Sequence, residues 1–263
     1  MANKLKDYQG KTAIILCGGK GTRLGSIGKK IPKTLVKIQG TEILRFILSS
    51  LVKYNFKKII LPIGYKGEMI ERFIKKYFKN KKFIKIIKTG TNTNIGKRIF
   101  HSLDEISTKE VLLLNGDAIF DFNINNIYKS HYRSKSDVSF LSGEISYPFG
   151  TVGVLKNKVV DFKRNLNYHA LKIRNNLNYI GYNYSGIILI KTKILKKYKN
   201  KFRKYENFES KFYPILIKRF KTQLIQLKSF WHSIDNVKDI MAVNDKRIDL
   251  KKYKCVKNIK NKI

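Results

Sequence analysis

A run of glycines and basic side chains follows the first apolar segment of the chain, within residues 16–33. Its members are Gly18, Gly19, Gly21, Arg23, Gly25 and, after Pro32, Lys33. Glycine lets backbone N–H groups approach and wrap an anion, and nearby cations add charge of the opposite sign. The combination favours phosphate chemistry, because an ordinary glycine-rich turn has no need of Thr22, Arg23 and Lys33 as well.

Two well-known phosphate-binding patterns do not describe this loop. A P-loop requires a glycine, four residues and then Gly-Lys-Ser/Thr, and none of the glycines from 18 to 21 begins that pattern. The dinucleotide fingerprint Gly-x-Gly-x-x-Gly, begun at Gly19, ends on Leu24 instead of glycine. The loop therefore belongs to another class of phosphate site.

The elements that must position the loop alternate between strand and helix. Short apolar runs predict strands at 11–16, 58–63, 83–87 and 110–114. Apolar residues at helical spacing predict helices at 41–54, with Thr41 as the cap, and at 67–79 and 96–106. This alternation predicts a mostly parallel sheet flanked by helices.

The pattern changes after about residue 128. Strand-like segments at 138–141, 151–155, 159–162 and 182–190 have little helix between them, and helical signals return at 206–220 and 237–247. We predict an α/β fold of Rossmann-like type in a single domain, residues 1–245, built on one sheet. A nucleotide-binding half, about 1–130, precedes a more antiparallel acceptor-binding half, about 131–245.

The charge of the chain is extreme, with 56 Lys and Arg against 18 Asp and Glu and a formal net charge of +38. One interpretation is a surface for a polyanion such as nucleic acid or an anionic membrane. The other is biased amino-acid usage, which we favour because the lysines are spread along the whole length. Residues 246–263 form a basic tail, either a helix lying on the surface or a solvated terminus.

The cysteine count and the lengths of the apolar runs limit the possible disulfides, zinc sites and membrane spans. Cys17 and Cys255 are too few for a disulfide framework or a four-thiolate zinc site, which favours a reducing compartment. No apolar run approaches the roughly 18 residues that span a bilayer, and the start of the chain is polar. We expect a cytoplasmic protein with no membrane span.

The glycine-rich stretch carries a family resemblance. The residues GGKGTRL at 18–24, followed by Pro32-Lys33, resemble the signature of the sugar-1-phosphate nucleotidyltransferases. Similarity to the glucose-1-phosphate cytidylyltransferases is carried by GYKG at 64–67, Thr89-Gly90, GKRI at 96–99, Phe149-Gly150 and Phe230-Trp231 with Asp235. LCGG at 16–19 and LNGD at 114–117 also resemble heptose-1-phosphate and mannose-1-phosphate guanylyltransferases.

The resemblance implies a Mg²⁺-dependent enzyme. An NTP, with CTP favoured and GTP second, and a sugar 1-phosphate would give an NDP-sugar and pyrophosphate for surface-polysaccharide synthesis, such as capsule or lipopolysaccharide. Arg23 would neutralise the departing pyrophosphate, and Lys33 would contact the α-phosphate. The implied nucleotide-binding residues are Leu16, Gly18, Gly19, Gly21, Thr22, Thr89, Gly96 and Arg98.

Two carboxylates are the implied metal ligands. Asp117 follows an apolar strand at the edge where ligands bind in open α/β sheets, with capping of the next segment as its alternative role. The resemblance assigns the second ligand to Asp235, for which a helix N-cap before Val237 is the competing role. Gly96 similarly has two explanations, close approach to a base or simple helix entry. The histidines show no metal-ligand spacing, and a supporting or surface role is expected for His232.

The acceptor half departs from the family pattern. Where relatives carry Glu-Lys-Pro, this chain has Asp161-Phe162-Lys163-Arg164, and Tyr184-Ser185-Gly186 replaces the usual Asn-small-Gly. Lys163, Arg164 and Gly186 are the candidate acceptor-binding residues, and the acceptor need not be a hexose. A non-catalytic descendant that binds a polyanion is the alternative function, and the resemblance leaves a homo-oligomer open.

Overall fold

The computed structural model describes residues 10–168, 170–172, 180–245 and 250, with the side chains of 146–149, 165 and 170–172 outside the description. Fifteen strands are present there: β1 Lys11–Leu16, β2 Lys37–Ile38, β3 Thr41–Glu42, β4 Phe56–Ile63, β5 Ile84–Lys88, β6 Glu110–Asn115, β7 Ala118–Phe120, β8 Val138–Ser142, β9 Ile145–Leu155, β10 Lys158–Tyr168, β11 Ala170–Lys172, β12 Ile180–Tyr182, β13 Tyr184–Lys191, β14 Thr222–Gln226 and β15 Trp231–Ser233. The α-helices there are α1 Gly25–Lys30, α2 Ile43–Val52, α3 Gly67–Tyr77, α4 Ile95–Ser102, α5 Ile124–Arg133, α6 Thr192–Phe202, α7 Phe208–Arg219 and α8 Val237–Asn244. The basic tail, Cys255 and His169 lie outside the described residues.

Seven strands form the central sheet, in the order β14-β8-β13-β6-β1-β4-β5. The pairs β1–β4, β1–β6, β4–β5 and β8–β14 are parallel, and only β13 runs against its neighbours β6 and β8. The predicted α/β fold with a mostly parallel sheet is therefore confirmed. Strands from both halves of the sequence share the sheet, because β13 pairs with β6.

Side chains alternate between the two faces of the sheet, and helices cover both. On one face, Ala13 and Ile15 of β1 point into an apolar core that also contains residues of α2, α3, α5 and α8. On the other face, Ile14 points into a second apolar core with residues of α4, α6 and α7. No helix within the described ranges has the length and apolar character needed to cross a membrane.

The antiparallel segment of the second half stands apart from the sheet. Strands β9 and β10 pair only with each other, and β11 pairs with β12. Valines and Phe162 on this hairpin are more than half exposed. The predicted strands at 151–155 and 159–162 are thus the exposed outer parts of two longer strands.

Some predicted boundaries differ from the structure for local reasons. The helix expected at 41–54 begins at Ile43, because Thr41–Glu42 pairs with β2, and its N-cap is Glu42. The helix expected at 96–106 is α4 followed by a separate 3₁₀ turn, Leu103–Glu105. Helices α5 and α6 were not anticipated.

Candidate active site

The glycine-rich loop and the Asn115-Gly116-Asp117 turn leave the sheet side by side. Strands β1 and β6 are parallel with Leu16 opposite Asn115, so the two segments that follow emerge at the same edge. A Cβ atom at Gly116 would lie 2.7 Å from the carbonyl oxygen of Leu16, so only glycine permits this approach. The sheet therefore brings Asp117 beside the start of the loop.

A small two-stranded ribbon brings the second carboxylate to the same place. Strand β15 pairs with β7, with Ser233 opposite Ala118, and the Ile234 N–H donates to the Asp117 carbonyl oxygen at 2.8 Å. Asp235 follows directly. Residues separated by more than one hundred positions thus share one backbone ribbon.

Lys33 lies between the two carboxylates. Its Nζ donates to Asp117 Oδ2 at 2.8 Å and to Asp235 Oδ1 at 2.9 Å. The side chain of Lys33 is 14% exposed, against 25% for Asp117 and 35% for Asp235, so the cluster is partly withdrawn from water. Within the described residues no three His, Cys, Asp or Glu side chains form a metal-binding group. The site has instead two carboxylates converging on one position that holds a positive charge.

Arg23 borders this cluster from the solvent side. It is 74% exposed, and its Nη1 lies 3.3 Å from Asp235 Oδ1. The turn containing it, Thr22–Leu24, starts from Gly21, whose φ of 61° lies in the left-handed region. The four residues assigned to chemistry from the sequence, Arg23, Lys33, Asp117 and Asp235, therefore lie together.

Residues other than Asp117 and Asp235 cap the helices that follow these two aspartates. Asn236 caps α8 in a capping box with Asp239, and Asn123 caps α5. Partial burial would raise the pKa of Asp235, but hydrogen bonds from Lys33 and Ser233 outweigh it and hold the pKa below its ordinary value. Asp235 is thus kept ionised and directed at the cluster.

Arg98 and Thr89 form a buried hydrogen-bonded pair next to the start of the glycine-rich loop. Arg98 is 3% exposed, and it donates from Nη2 to the Gly18 carbonyl oxygen at 2.9 Å and from Nη1 to the Thr89 hydroxyl. That hydroxyl donates to the Ile63 carbonyl oxygen at 2.7 Å. Burial lowers the pKa of Arg98 from its ordinary value. Arg98 thus links the Gly18 backbone to Thr89, and the nucleotide-binding role of both residues stays a prediction.

Gly96 has a packing role in the structure. A Cβ atom there would lie 2.3 Å from the carbonyl oxygen of Phe202, the last residue of α6. The close approach that Gly96 allows in this structure is between α4 and the end of α6.

The three candidate acceptor residues are not brought together. Lys163 is 64% exposed on β10 and pairs with Asp161 at 3.0 Å, and Arg164 next to it is exposed. Among the described residues, no hydrogen bond or ion pair connects either of them to the Lys33 cluster. Gly186 differs, since its φ is 73° and a Cβ there would lie 2.7 Å from Asn115 Nδ2, two residues before Asp117.

Comparison with known proteins identifies the family of the chain. A family model described as nucleotidyl transferase matches residues 12–249. The chain belongs to the nucleotidyl transferase family. The family expected from the sequence is thereby confirmed, as is the coarse enzyme class, a sugar-phosphate nucleotidyltransferase.

Two curated relatives differ in the nucleotide they are named for. A probable glucose-1-phosphate cytidylyltransferase of Bacillus subtilis is 27% identical over 88% of this chain and 94% of its own length. A D-glycero-alpha-D-manno-heptose 1-phosphate guanylyltransferase of Campylobacter jejuni is 39% identical over 44% of this chain and 51% of its own length. The crystal structure of HddC from Yersinia pseudotuberculosis complexed with GMP-PN matches this chain with a TM-score of 0.67 and 22% sequence identity. The match covers 90% of this chain and 99% of HddC, and it shows that the two proteins share a fold.

Glu209 is an acidic residue whose charge interacts with that of Asp117, and the sequence did not predict this. It lies half-buried in the first turn of α7. Burial raises its pKa, and the negative charge of Asp117 adds to that effect. The sequence signal was weak, because an acid near a helix start is ordinary.

His232 does not contact the cluster directly. It lies on β15, where Nε2 is buried without a hydrogen-bond partner among the described residues. Burial lowers its pKa, although Asp239 and Asp235 oppose that shift. The supporting or surface role expected for His232 stays a prediction.

Proposed function

We propose that the protein transfers a nucleotidyl group from an NTP, with CTP favoured, to a sugar 1-phosphate in a Mg²⁺-dependent reaction. The observation that carries this proposal is the Lys33 ammonium held between Asp117 and Asp235 beside the glycine-rich loop. A site of this composition suits an exchange between two polyanions, in which positioning and electrostatics supply most of the catalysis.

The proposed step is an in-line displacement at the α-phosphorus of the NTP. An oxygen of the sugar phosphate forms a bond to that phosphorus, and the bond from phosphorus to the α–β bridging oxygen breaks. Pyrophosphate leaves with the electron pair of the broken bond. No proton transfer is required, because the attacking phosphate oxygen is already ionised.

Each named residue has a task in this step. Backbone N–H groups between Gly18 and Thr22 would hold the β- and γ-phosphates, and exposed Arg23 would pair with the departing pyrophosphate. Lys33 would turn from the carboxylates to the α-phosphate. Buried Arg98, whose contacts are to neutral oxygens, adds positive potential beneath the loop.

The carboxylates fit a magnesium ion. Mg²⁺ is usually held in proteins by one or two carboxylates with phosphate oxygens and water, and Asp117 and Asp235 already face a single cation position. The ion would neutralise charge on the transferring phosphate. Asp235 is suited to hold it because Ser233 donates to its other oxygen, Oδ2, at 2.8 Å and fixes the carboxylate plane.

The choice of CTP rests on a relative that aligns over 88% of this chain and 94% of its own length, the probable glucose-1-phosphate cytidylyltransferase of Bacillus subtilis. GTP is the second candidate, favoured by the higher identity to the guanylyltransferase over 115 residues. The product is an activated sugar, and we propose that glycosyl transfer consumes it in polysaccharide synthesis.

The test is pyrophosphate release from purified protein with each of the five common NTPs, Mg²⁺ and a panel of sugar 1-phosphates. Release should be greatest with CTP and should disappear when EDTA is added. Arg23→Ala and Asp117→Asn should each abolish turnover while the melting temperature stays within a few degrees of the wild type. No release with any pairing, or near-normal turnover by Asp117→Asn, would contradict the proposal.

A further inference from the structure

The β9–β10 hairpin has a concentration of exposed apolar side chains. Among the described residues, nine large apolar side chains are more than half exposed, and six of these lie on the hairpin. The six are Val152, Val154, Leu155, Val159, Val160 and Phe162. Single apolar residues are normal on a protein surface, whereas a contiguous group of them marks a site of interaction. The hairpin is therefore a candidate contact surface.

The pairing of the two strands places four of these side chains on one face. Val154 is opposite Val159, and Val152 is opposite Phe162. Opposed residues of an antiparallel pair project to the same face of the ribbon, and so do alternate residues of one strand. The ring of Phe162 extends over Gly150, where a Cβ atom would lie 2.6 Å from Cζ. We call these four residues, Val152, Val154, Val159 and Phe162, the apolar hairpin face.

The opposite face of the hairpin is polar. Thr151 is opposite Lys163 there, and Gly153 is opposite Asp161. Asp161 is the one acidic residue of positions 150–164, and it forms an ion pair with Lys163 at 3.0 Å. The apolar hairpin face therefore has no carboxylate of its own.

Basic side chains border the apolar hairpin face at both ends. Lys156 and Lys158 are exposed at the tip, where Lys156 and Asn157 make the turn with φ values of 45° and 67°. At the other end, exposed Arg164 is opposite Gly150 and so lies on the same face as Phe162. Apolar side chains bordered by cations are complementary to an anionic bilayer, because the apolar groups enter the interface while the cations remain at the headgroups.

A second copy of the chain is a less favourable partner for this surface. Contact between two such faces would bring the basic borders of both hairpins together, and each chain already has a formal net charge of +38. Like charges that oppose each other across paired strands are destabilising. The same charges attract anionic lipid, so the electrostatic contribution favours a bilayer over a dimer.

We propose that the apolar hairpin face docks the protein onto the surface of an anionic lipid bilayer. Its four apolar side chains enter the interface, and the lysines of the tip contact headgroup phosphates. Such a peripheral contact requires no membrane-spanning segment. The proposal goes beyond nucleotidyl transfer and does not depend on it, because none of the residues of the Lys33 cluster takes part.

Flotation of the full chain with lipid vesicles tests the apolar contribution. The vesicles contain phosphatidylcholine alone or with about 30 mol % phosphatidylglycerol, at about 0.15 M salt. The wild type should float with the anionic vesicles only. Phe162→Ser should lower the partition coefficient about tenfold or more. Ile217→Ser is the matched control, since Ile217 is 58% exposed on α7 and Phe162 is 61% exposed, and it should behave like the wild type.

A pair of charge variants separates the hairpin from the overall charge of the chain. Lys156→Gln combined with Lys158→Gln should lower partitioning onto the anionic vesicles about 10- to 30-fold, which is roughly fivefold for each cation near the surface. Lys193→Gln combined with Lys201→Gln removes two exposed lysines from α6 and should change it by less than about threefold. Equal losses in the two double variants would show binding by diffuse charge and overturn the proposal.

Phe162→Trp reports insertion directly. Its tryptophan emission, measured against the wild type with Trp231 alone, should shift to shorter wavelength with anionic vesicles and stay unchanged with phosphatidylcholine. Binding without that shift would overturn the proposal, as would a failure of the wild type to float. Sedimentation without lipid tests the other occupant: a wild-type dimer that Phe162→Ser converts to a monomer would assign the face to a second copy. All variants should melt within a few degrees of the wild type, because the replaced side chains are exposed.

Discussion

Replacing Lys33 by methionine removes the charge that separates the two aspartates and keeps most of the side-chain volume. The two carboxylate oxygens that Lys33 contacts lie no more than about 5.7 Å apart, the sum of the 2.8 and 2.9 Å distances. Two negative charges at that separation repel by about 1 to 3 kcal/mol, depending on whether the effective dielectric constant is nearer 80 or 20.

The lost attraction is of similar size. A hydrogen bond to a charged group contributes about 1.5–3 kcal/mol when shielded, and an exposed ion pair less than about 1 kcal/mol. The cluster is between these limits, since Lys33 is 14% exposed and Asp235 35%. We therefore expect Lys33→Met to lower the free energy of unfolding by about 2–4 kcal/mol in the absence of divalent ions.

Magnesium should reverse this loss in the variant more than it stabilises the wild type. A metal ion entering the wild-type site must displace the Lys33 ammonium, whereas in Lys33→Met the two carboxylates are unopposed. Each 1.4 kcal/mol of that difference corresponds to about tenfold in Kd, so binding by the variant should be at least tenfold tighter.

The assay is urea denaturation at 0 and 10 mM MgCl2, combined with calorimetric titration of Mg²⁺. Lys129→Met, which removes an exposed lysine on α5, is the control for a lost charge. If Lys33→Met is as stable as the wild type without Mg²⁺, and Mg²⁺ shifts both equally, then Asp117 and Asp235 do not share a cation site.

Three further predictions concern positions where the structure leaves little freedom. Gly18→Ala should fold but lose the thermal shift that CTP with Mg²⁺ gives the wild type, because its Cβ would lie 1.9 Å from Arg98 Nη1 and displace the loop. Gly96→Ala, whose Cβ would lie 2.3 Å from the Phe202 oxygen, should lower unfolding free energy by about 1–3 kcal/mol without changing either KM. Burial lowers the pKa of His131 to about 4, so the unfolded chain binds a proton at this residue more tightly than the folded protein does. The free energy of unfolding should therefore fall as the pH drops from about 6.5 to 4. The full loss is about 3 kcal/mol, and urea denaturation of His131→Gln should show a shallower slope over that range.

The parts of the fold that the sequence predicted are those with strong periodicity. The first strand, Lys11–Leu16, has the predicted bounds, and β4, β5 and β6 differ by one or two residues at their ends. Apolar runs closed by glycine or proline define such buried strands without reference to distant residues. Helix α6 was missed because six of its eleven residues are charged or asparagine, and only Ile194, Leu195 and Phe202 mark its buried apolar face.

The candidate site also has one part that the sequence predicts and one part that it does not. Residues near one another in sequence, such as Gly18 and Arg23, could be assigned together because they share one motif. The roles of Arg98 and Gly96 depend on the Gly18 carbonyl oxygen and the end of α6, and sequence spacing carries no information about those contacts.

The position of Lys33 also implies an order of events. In the free protein its ammonium stabilises two acidic side chains that would otherwise repel each other. Under the proposed function, the α-phosphate of an NTP would compete for that ammonium, so that nucleotide binding would release Asp117 and Asp235. Affinity for a divalent cation should therefore be weak in the free protein and strong once the nucleotide is present. A single lysine would thereby couple phosphate binding to the exposure of the two carboxylates, and calorimetric titration of Mg²⁺ with and without the nucleotide measures this difference in affinity.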